Sequence, residues 1–204
     1  MEAVCLDLEG VLVPEIWIAF AEKTGIEKLR LTTRDIPDYH VLMNGRMNIL
    51  REHGLTLKDI QDVIATIRPL DGAKEFLDKL RSITQVIILS DTFSEFASPL
   101  MKQLGWPTIF CNTLVLDDKG MLTGIRMRQE DGKRKAIEAL RSCGFRTFAA
   151  GDSYNDLNMI KTADAGCLFR APENILKEYH DLPLHTTYEG FYGEIEKFVR
   201  NGRE

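Results

Sequence analysis

No apolar run in this 204-residue sequence approaches the roughly 20 residues that a membrane-spanning helix needs. Its first residues show no succession of charged stretch, long apolar stretch and small-residue cleavage site, so no secretory signal is expected. Basic residues are in the minority: 26 Lys and Arg against 31 Asp and Glu leave a net charge of −5. Such a balance supplies no field for nucleic acid or anionic membrane, and neither partner is expected. A phosphate-handling site would have to be a local positive pocket in an acidic protein. The four cysteines, Cys5, Cys111, Cys143 and Cys167, are scattered without CxxC spacing. They read as small buried hydrophobes in a reducing cytoplasm, not as a disulfide framework or a zinc site. Internal repeats and low-complexity tracts are missing as well. What remains, 44% hydrophobic and 28% charged residues, is ordinary globular composition, sufficient for one core domain and a small addition.

The apolar runs are short. Residues 3–8, 85–90, 107–111, 146–150 and 165–169 read as buried parallel strands. Between them, 72–82 gathers Ala73, Phe76, Leu77 and Leu80 on one helical face, and 132–142 does the same with Ala136, Ile137 and Leu140. Strands alternating with such helices predict an α/β fold, a parallel sheet covered on both faces. Ligands of such sheets bind at the carboxyl ends of strands near the switch point, where Asp7, Ser90 and Asp152 are expected. Residues 14–68 break the alternation with helical patterns at 15–24, 38–53 and 56–66, separated by Gly25, Pro37 and Gly54, with Thr56 as a cap for the third. This reads as a helical cap over a core of residues 1–13 and 69–204. Residues 112–128, with a turn at Asp118-Lys119-Gly120, predict a β-hairpin. The last helix is expected over 189–200, with a frayed end, NGRE.

Four groups of residues carry chemistry. Asp7 and Glu9 follow the apolar run Ala3-Val4-Cys5-Leu6 and precede Gly10. A buried strand ending in two acids needs a compensating charge, and a divalent cation is the evident one, with a carboxylate left to attack and another to carry a proton. Ser90-Asp91-Thr92 follows the strand VIILS, and alone reads more often as only an N-cap for the next helix. Lys133, with Arg134 and Lys135, opens a helix, where a lysine is usually solvated. Gly151-Asp152-Ser153-Tyr154-Asn155-Asp156 follows TFAA and offers hard oxygen ligands. The ordered set is far more specific than any member. Arg46, inside the apolar helix VLMNGRMNIL, is either a lid-borne anion clamp or part of a solvated face; Met43, Met47 and Leu50 beside it read as cap core.

Over nearly its whole length this pattern resembles the haloacid dehalogenase-like phosphatase superfamily. The insertion with Glu15 and Arg46 resembles the phosphoserine phosphatases. DLEGVLVPEIW, SDTF and AAGDSYND, with Glu9, Val11 and Asp91 where other members commonly carry Asp, Thr or Ser, and Gly, resemble the bifunctional members that also transfer the phosphoryl group to homoserine. The resemblance implies a three-layer Rossmann-like core and a Mg²⁺ held by Asp7, the Glu9 carbonyl and Asp152, with Asp156 behind them. It implies Asp7 as nucleophile, Glu9 as general acid and base, and Lys133 on the phosphoryl oxygens. Ser90, the backbone at Asp91, and Asn155 would hold phosphate or substrate, Glu15 the substrate ammonium and Arg46 its carboxylate. O-phospho-L-serine and L-homoserine are the implied small-molecule partners. Two other readings stay open on the residues: a capped phosphatase for another small phosphomonoester, such as a nucleotide, sugar phosphate or methylthio-ribulose-type ester, and a non-catalytic phosphate-binding domain on the same fold.

Overall fold

The computed structural model describes residues 1–32, 35–36 and 38–202. Pro37, read as a separator, and Arg203 and Glu204 of the end read as frayed lie outside these residues. Asn201 and Gly202 are still hydrogen-bonded to the carbonyls of Lys197 and Val199.

Seven strands form one sheet: β1 (Glu2–Leu6), β2 (Gln85–Phe93), β3 (Thr108–Leu116), β4 (Leu122–Arg126), β5 (Arg146–Gly151), β6 (Ala165–Phe169) and β7 (Leu184–His185). Their order is β4-β3-β2-β1-β5-β6-β7, parallel except for antiparallel β4. Alternate residues of β1 serve opposite faces. Val4 and Leu6 join the large core beneath α4 (Ala73–Arg81), α5 (Ser94–Gln103) and α9 (Tyr188–Arg200). Cys5 joins a second core with α6 (Gly132–Ser142), α7 (Leu157–Thr162) and α8 (Glu173–Glu178). This is the three-layer α/β architecture that the strand and helix pattern predicts. All four cysteines are free thiols. No helix among the described residues is long and apolar enough to cross a membrane.

Between β1 and β2 lies the small helical cap: α1 (Ile16–Thr24), α2 (Tyr39–Glu52), α3 (Leu57–Ile64) and a short 3₁₀ turn at Glu27–Arg30. Gly25 ends α1 in the left-handed region at φ 69°, where a side chain would be strained. The Asp38 carboxylate accepts the His40 and Val41 amides at the start of α2. Thr56 and Asp59 form a reciprocal capping box on α3. Met43, Met47 and Leu50 are buried, as read, but in a cluster continuous with the main core and not in a separate cap core.

Several boundaries differ from the sequence expectation. β1 stops at Leu6, not residue 8, so Asp7 is the first residue beyond the ladder, its amide still bonded to the Ala150 carbonyl at 3.0 Å. β2 continues past residue 90 to Phe93, with its register to β3 broken between Leu89 and Phe93. Ser90 and Asp91 thus sit in the irregular end of a strand. They do not cap a helix, since the residue preceding α5 is Phe93 and makes no capping bond. The strand expected at 107–111 and the first arm of the hairpin are one continuous β3, parallel to β2 along its first half and antiparallel to β4 along its second. α5, α7, α8 and β7 were not anticipated. The signal of α5 is masked by Pro99 inside it, and α7, α8 and β7 are too short for periodicity to register.

Candidate active site

The loop after β1 folds back on itself: the Leu12 and Val13 amides bond the Leu8 carbonyl at 2.8 and 3.1 Å, and the Gly10 amide bonds Val13 at 2.8 Å. The Tyr188 hydroxyl at the start of α9 fixes the loop by donating to the Val11 carbonyl at 2.6 Å. Gly10 has φ 76°, and a Cβ there would lie 2.4 Å from the Asp152 carboxyl carbon. Only glycine lets the two loops meet. Asp7 and Asp152, 145 positions apart in sequence, are thereby neighbours: one carboxylate oxygen from each of Asp7, Asp152 and Asp156 lies within 4.8 Å of the others.

Lys133 sits among them, 5% exposed, contrary to the solvated reading of a helix-start lysine. The chain enters α6 through Asp131 in the left-handed region at φ 50°, a costly conformation for a non-glycine residue. Lys133 Nζ donates to Asp7 Oδ1 at 2.8 Å and to Asp156 Oδ1 at 2.7 Å, and stands 3.9 Å from Asp91 Oδ2. Asp156 is fully buried, and its second oxygen accepts the Asp152 and Ser153 amides and the Ser153 hydroxyl at 2.9–3.1 Å. Its hydrogen bonds join it to both Lys133 and the Asp152 loop. Burial first, then repulsion from Asp156, raises the Asp7 carboxyl well above the usual range, with Lys133 opposing. The same causes lift Asp152 to about 7.

Glu9 faces a different way from Asp7. Its Oε2 accepts the Ile16 amide at the start of α1 at 2.8 Å. Burial, then the neighbouring Glu15 carboxylate, raises it to about 8. A carboxyl held largely protonated near neutrality is suited to donate a proton. The additional methylene relative to aspartate lets the carboxyl reach the cap helix while its backbone stays beside Asp7.

A cavity of about 360 Å³ unites these groups, lined by Asp7, Glu9, Glu15, Arg46, Ser90, Asp91, Lys133, Asp152 and Asn155. Every residue given a role by the resemblance lines it except Asp156, which reaches it through Lys133. Arg46 is 6% exposed; its guanidinium lies 4.4 Å over the Trp17 ring, donates to the Leu31 carbonyl at 2.7 Å, and leaves the buried Nε without a partner.

The family model of haloacid dehalogenase-like hydrolases matches residues 1–164. The chain is a haloacid dehalogenase-like hydrolase. It is 59% identical to the phosphoserine phosphatase ThrH of Pseudomonas aeruginosa, over 97% of this chain and 96% of that one. It is 57% identical to a phosphoserine phosphatase of Pseudomonas syringae pv. tomato, over 97% of this chain and 83% of that one. A crystal structure of phosphoserine phosphatase in apo form matches with a TM-score of 0.72 and 25% identity, over 90% of this chain and 92% of that one. Within the hydrolase family the chain therefore groups with the phosphoserine phosphatases.

The acids of this hydrolase suit a hard divalent cation. Asp7 and Asp152 present carboxylate oxygens to one another where burial and repulsion from Asp156 resist their ionisation, and a dication would remove that resistance. Among the lining residues to which sequence reasoning gave no role, two make contacts that build the site. Trp17, inside the helix predicted over 15–24, is the platform beneath Arg46. Tyr39, at the start of α2, donates its hydroxyl to the Asp91 carbonyl at 3.2 Å, a bond from cap to core. The first looked like any apolar helix residue and the second carried no motif.

Proposed function

We propose that this hydrolase is a Mg²⁺-dependent phosphoserine phosphatase that also passes the phosphoryl group to homoserine. One observation carries the reading: the cavity that holds Asp7 and Lys133 also holds Glu15 and a buried Arg46 whose Nε lacks a partner. A phosphate, an ammonium and a carboxylate are the three charges of O-phospho-L-serine, and the cavity offers a partner to each. The names of the relatives at 59% and 57% identity support the same substrate. In this reading the core comprises residues 1–13 and 69–204 and the cap residues 14–68. The four unpaired thiols support a reducing cytoplasm.

Asp7, Asp152 and the Glu9 carbonyl would hold Mg²⁺, which supplies positive charge to the phosphoryl oxygens. Lys133 adds a second positive charge at Asp7, while the Ser90 hydroxyl, the backbone amides near Glu9 and Asp91, and Asn155 hold the remaining oxygens and the substrate. An Asp7 oxygen attacks phosphorus as the bond to the seryl oxygen breaks, and Glu9 gives its proton to that oxygen. Glu9 then takes the proton of the incoming hydroxyl, from water or homoserine, whose oxygen bonds to phosphorus as the bond to Asp7 breaks. Arg46 and Glu15 hold the amino-acid end throughout.

The test is to incubate the protein with O-phosphoserine and Mg²⁺, with and without homoserine, and to measure inorganic phosphate and phosphohomoserine. Both products are expected. If neither forms, the substrate is wrong, and preference for a phosphomonoester without an amino-acid end would remove Glu15 and Arg46 from the binding site.

A further inference from the structure

A second cavity of about 630 Å³ lies beside the catalytic one, between the start of α2, the loop leading into α6, and the start of α7. The two share four wall residues, Tyr39, Asp91, Lys133 and Asn155; neither Glu15 nor Arg46 lines the second. The wall itself is thin. It consists of the bond from Asn155 Nδ2 to Asp91 Oδ2 at 3.1 Å, the bond from the Tyr39 hydroxyl to the Asp91 carbonyl at 3.2 Å, and Lys133 Nζ 3.9 Å from the Asp91 carboxylate. Lys133 Nζ is in turn 2.8 Å from Asp7, so this wall separates the second cavity from the reacting phosphoryl group. The Asp91 carbonyl is anchored twice, by Tyr39 and by Asn112 Nδ2 at 3.1 Å, while its side chain is 41% exposed and its partner Asn155 is exposed. A fixed backbone whose carboxylate is held by one solvent-exposed hydrogen bond and the longer ion pair to Lys133 can open while Ser90, Asp7 and the cap helices stay in place.

We propose that the Asp91 side chain is the partition that sets how much water reaches the aspartyl-phosphate, and so the share of hydrolysis against transfer. It is a positioning and specificity residue, acting through the wall it forms with Asn155. This inference rests on the proposed phosphoryl chemistry. In both outcomes an oxygen bonds to phosphorus, the bond to Asp7 breaks and Glu9 takes the proton. Water and phosphate are small enough to pass laterally through the opened wall, whereas an amino-acid acceptor enters past Glu15 and Arg46.

The experiment compares the native protein with Asp91→Gly, Asn155→Ala and Asp91→Asn, turning over O-phosphoserine in the presence of Mg²⁺ and homoserine. The readout is the ratio of inorganic phosphate to phosphohomoserine. Asp91→Gly and Asn155→Ala each break the bridge and raise the ratio about fivefold, the change in open fraction that loss of one hydrogen bond brings. Asp91→Asn keeps an acceptor for Asn155 and holds the native ratio, which a role for the charge itself would not allow. Asn158→Trp, on α7 in the far wall of the second cavity only, fills the passage and lowers the ratio. Exchange of ¹⁸O from water into inorganic phosphate, which reverses the hydrolytic step and needs no acceptor, rises in Asp91→Gly and Asn155→Ala and falls in Asn158→Trp. A native protein that makes no phosphohomoserine ends the transfer reading, and the exchange rates still decide the partition. Native ratios and native exchange in both bridge-breaking variants overturn the partition.

Discussion

Asp152 offers a quantitative test of the electrostatics at the centre of the site. Its carboxyl is lifted from an ordinary 3.8 to about 7, first by burial, then by repulsion from Asp156 and Glu15, with Lys133 opposing. Between those two values the fold binds more protons than the unfolded chain, so the stability of the metal-free protein falls as pH rises through that window. Below about pH 4 both states hold the proton and nothing is lost, while above about pH 7 the loss is complete. At 1.36 kcal/mol per pH unit, the interval from 3.8 to about 7 corresponds to about 4 kcal/mol. Screening by the solvent that still reaches the half-buried Asp152 carboxyl brings the realised part down to about 2 kcal/mol. Asp152→Asn removes the charge and keeps the shape. In EDTA near pH 8 the variant should be more stable than the native protein by about 2–4 kcal/mol, and near pH 4 the two should coincide. Mg²⁺ at about a hundred times its Kd should then stabilise the native protein by about 2.7 kcal/mol and leave the variant unmoved. Urea unfolding followed by circular dichroism reads all of these conditions. A variant less stable than native without metal near pH 8, or an equal response of both to Mg²⁺, would refute the reasoning.

Arg46→Ala should raise KM for O-phosphoserine about 10–150-fold, the factor for hydrogen bonds to a charged group, while hydrolysis of p-nitrophenyl phosphate holds; parallel loss on both substrates would deny Arg46 its role in recognition. Glu9→Gln should slow turnover of O-phosphoserine by about 10²–10⁴, yet preserve the burst of p-nitrophenol from p-nitrophenyl phosphate, whose leaving group needs no proton. Gly10→Ala forces a side chain onto φ 76° and a Cβ within 2.4 Å of the Asp152 carboxyl. Calorimetry should show Mg²⁺ affinity lower by about tenfold or more, since the crowded partner is a proposed ligand. Thr56→Ala removes the capping box of α3 and should cost about 1 kcal/mol, seen as a lower Tm with unchanged kcat.

The strands and longer helices were legible because each declares itself within a dozen residues: a short apolar run, or apolar residues on one face. The candidate site was legible for a related reason. Acids, a serine and a lysine at strand ends and a helix start are unusual local combinations, and their order along the chain is a signature. Elements without a local signal escaped. α5 carries an internal proline, and Trp17 and Tyr39 have no neighbours in sequence that betray their contacts. Ser90 and Asp91 lie toward the carboxyl end of β2 as expected, but in a stretch of irregular pairing that the sequence did not announce. The break in pairing between β2 and β3 that sets them is a property of two strands, not of one.

By itself the sequence determined the fold class, the order of the chemical groups and the class of reaction, since strand ends in a parallel sheet must share one rim. Only the tertiary structure decided what those groups do to one another. The contact of Lys133 with Asp7 spans 126 positions, and it exists because β1 and β5 pair and the start of α6 is turned inward at Asp131. The direction of Glu9 toward α1, the placement of Arg46 on Trp17, and the thin wall at Asp91 are likewise settled by packing between distant segments. Side-chain chemistry is written residue by residue, but burial, proton affinity and access to solvent arise only when separate elements close around the same space.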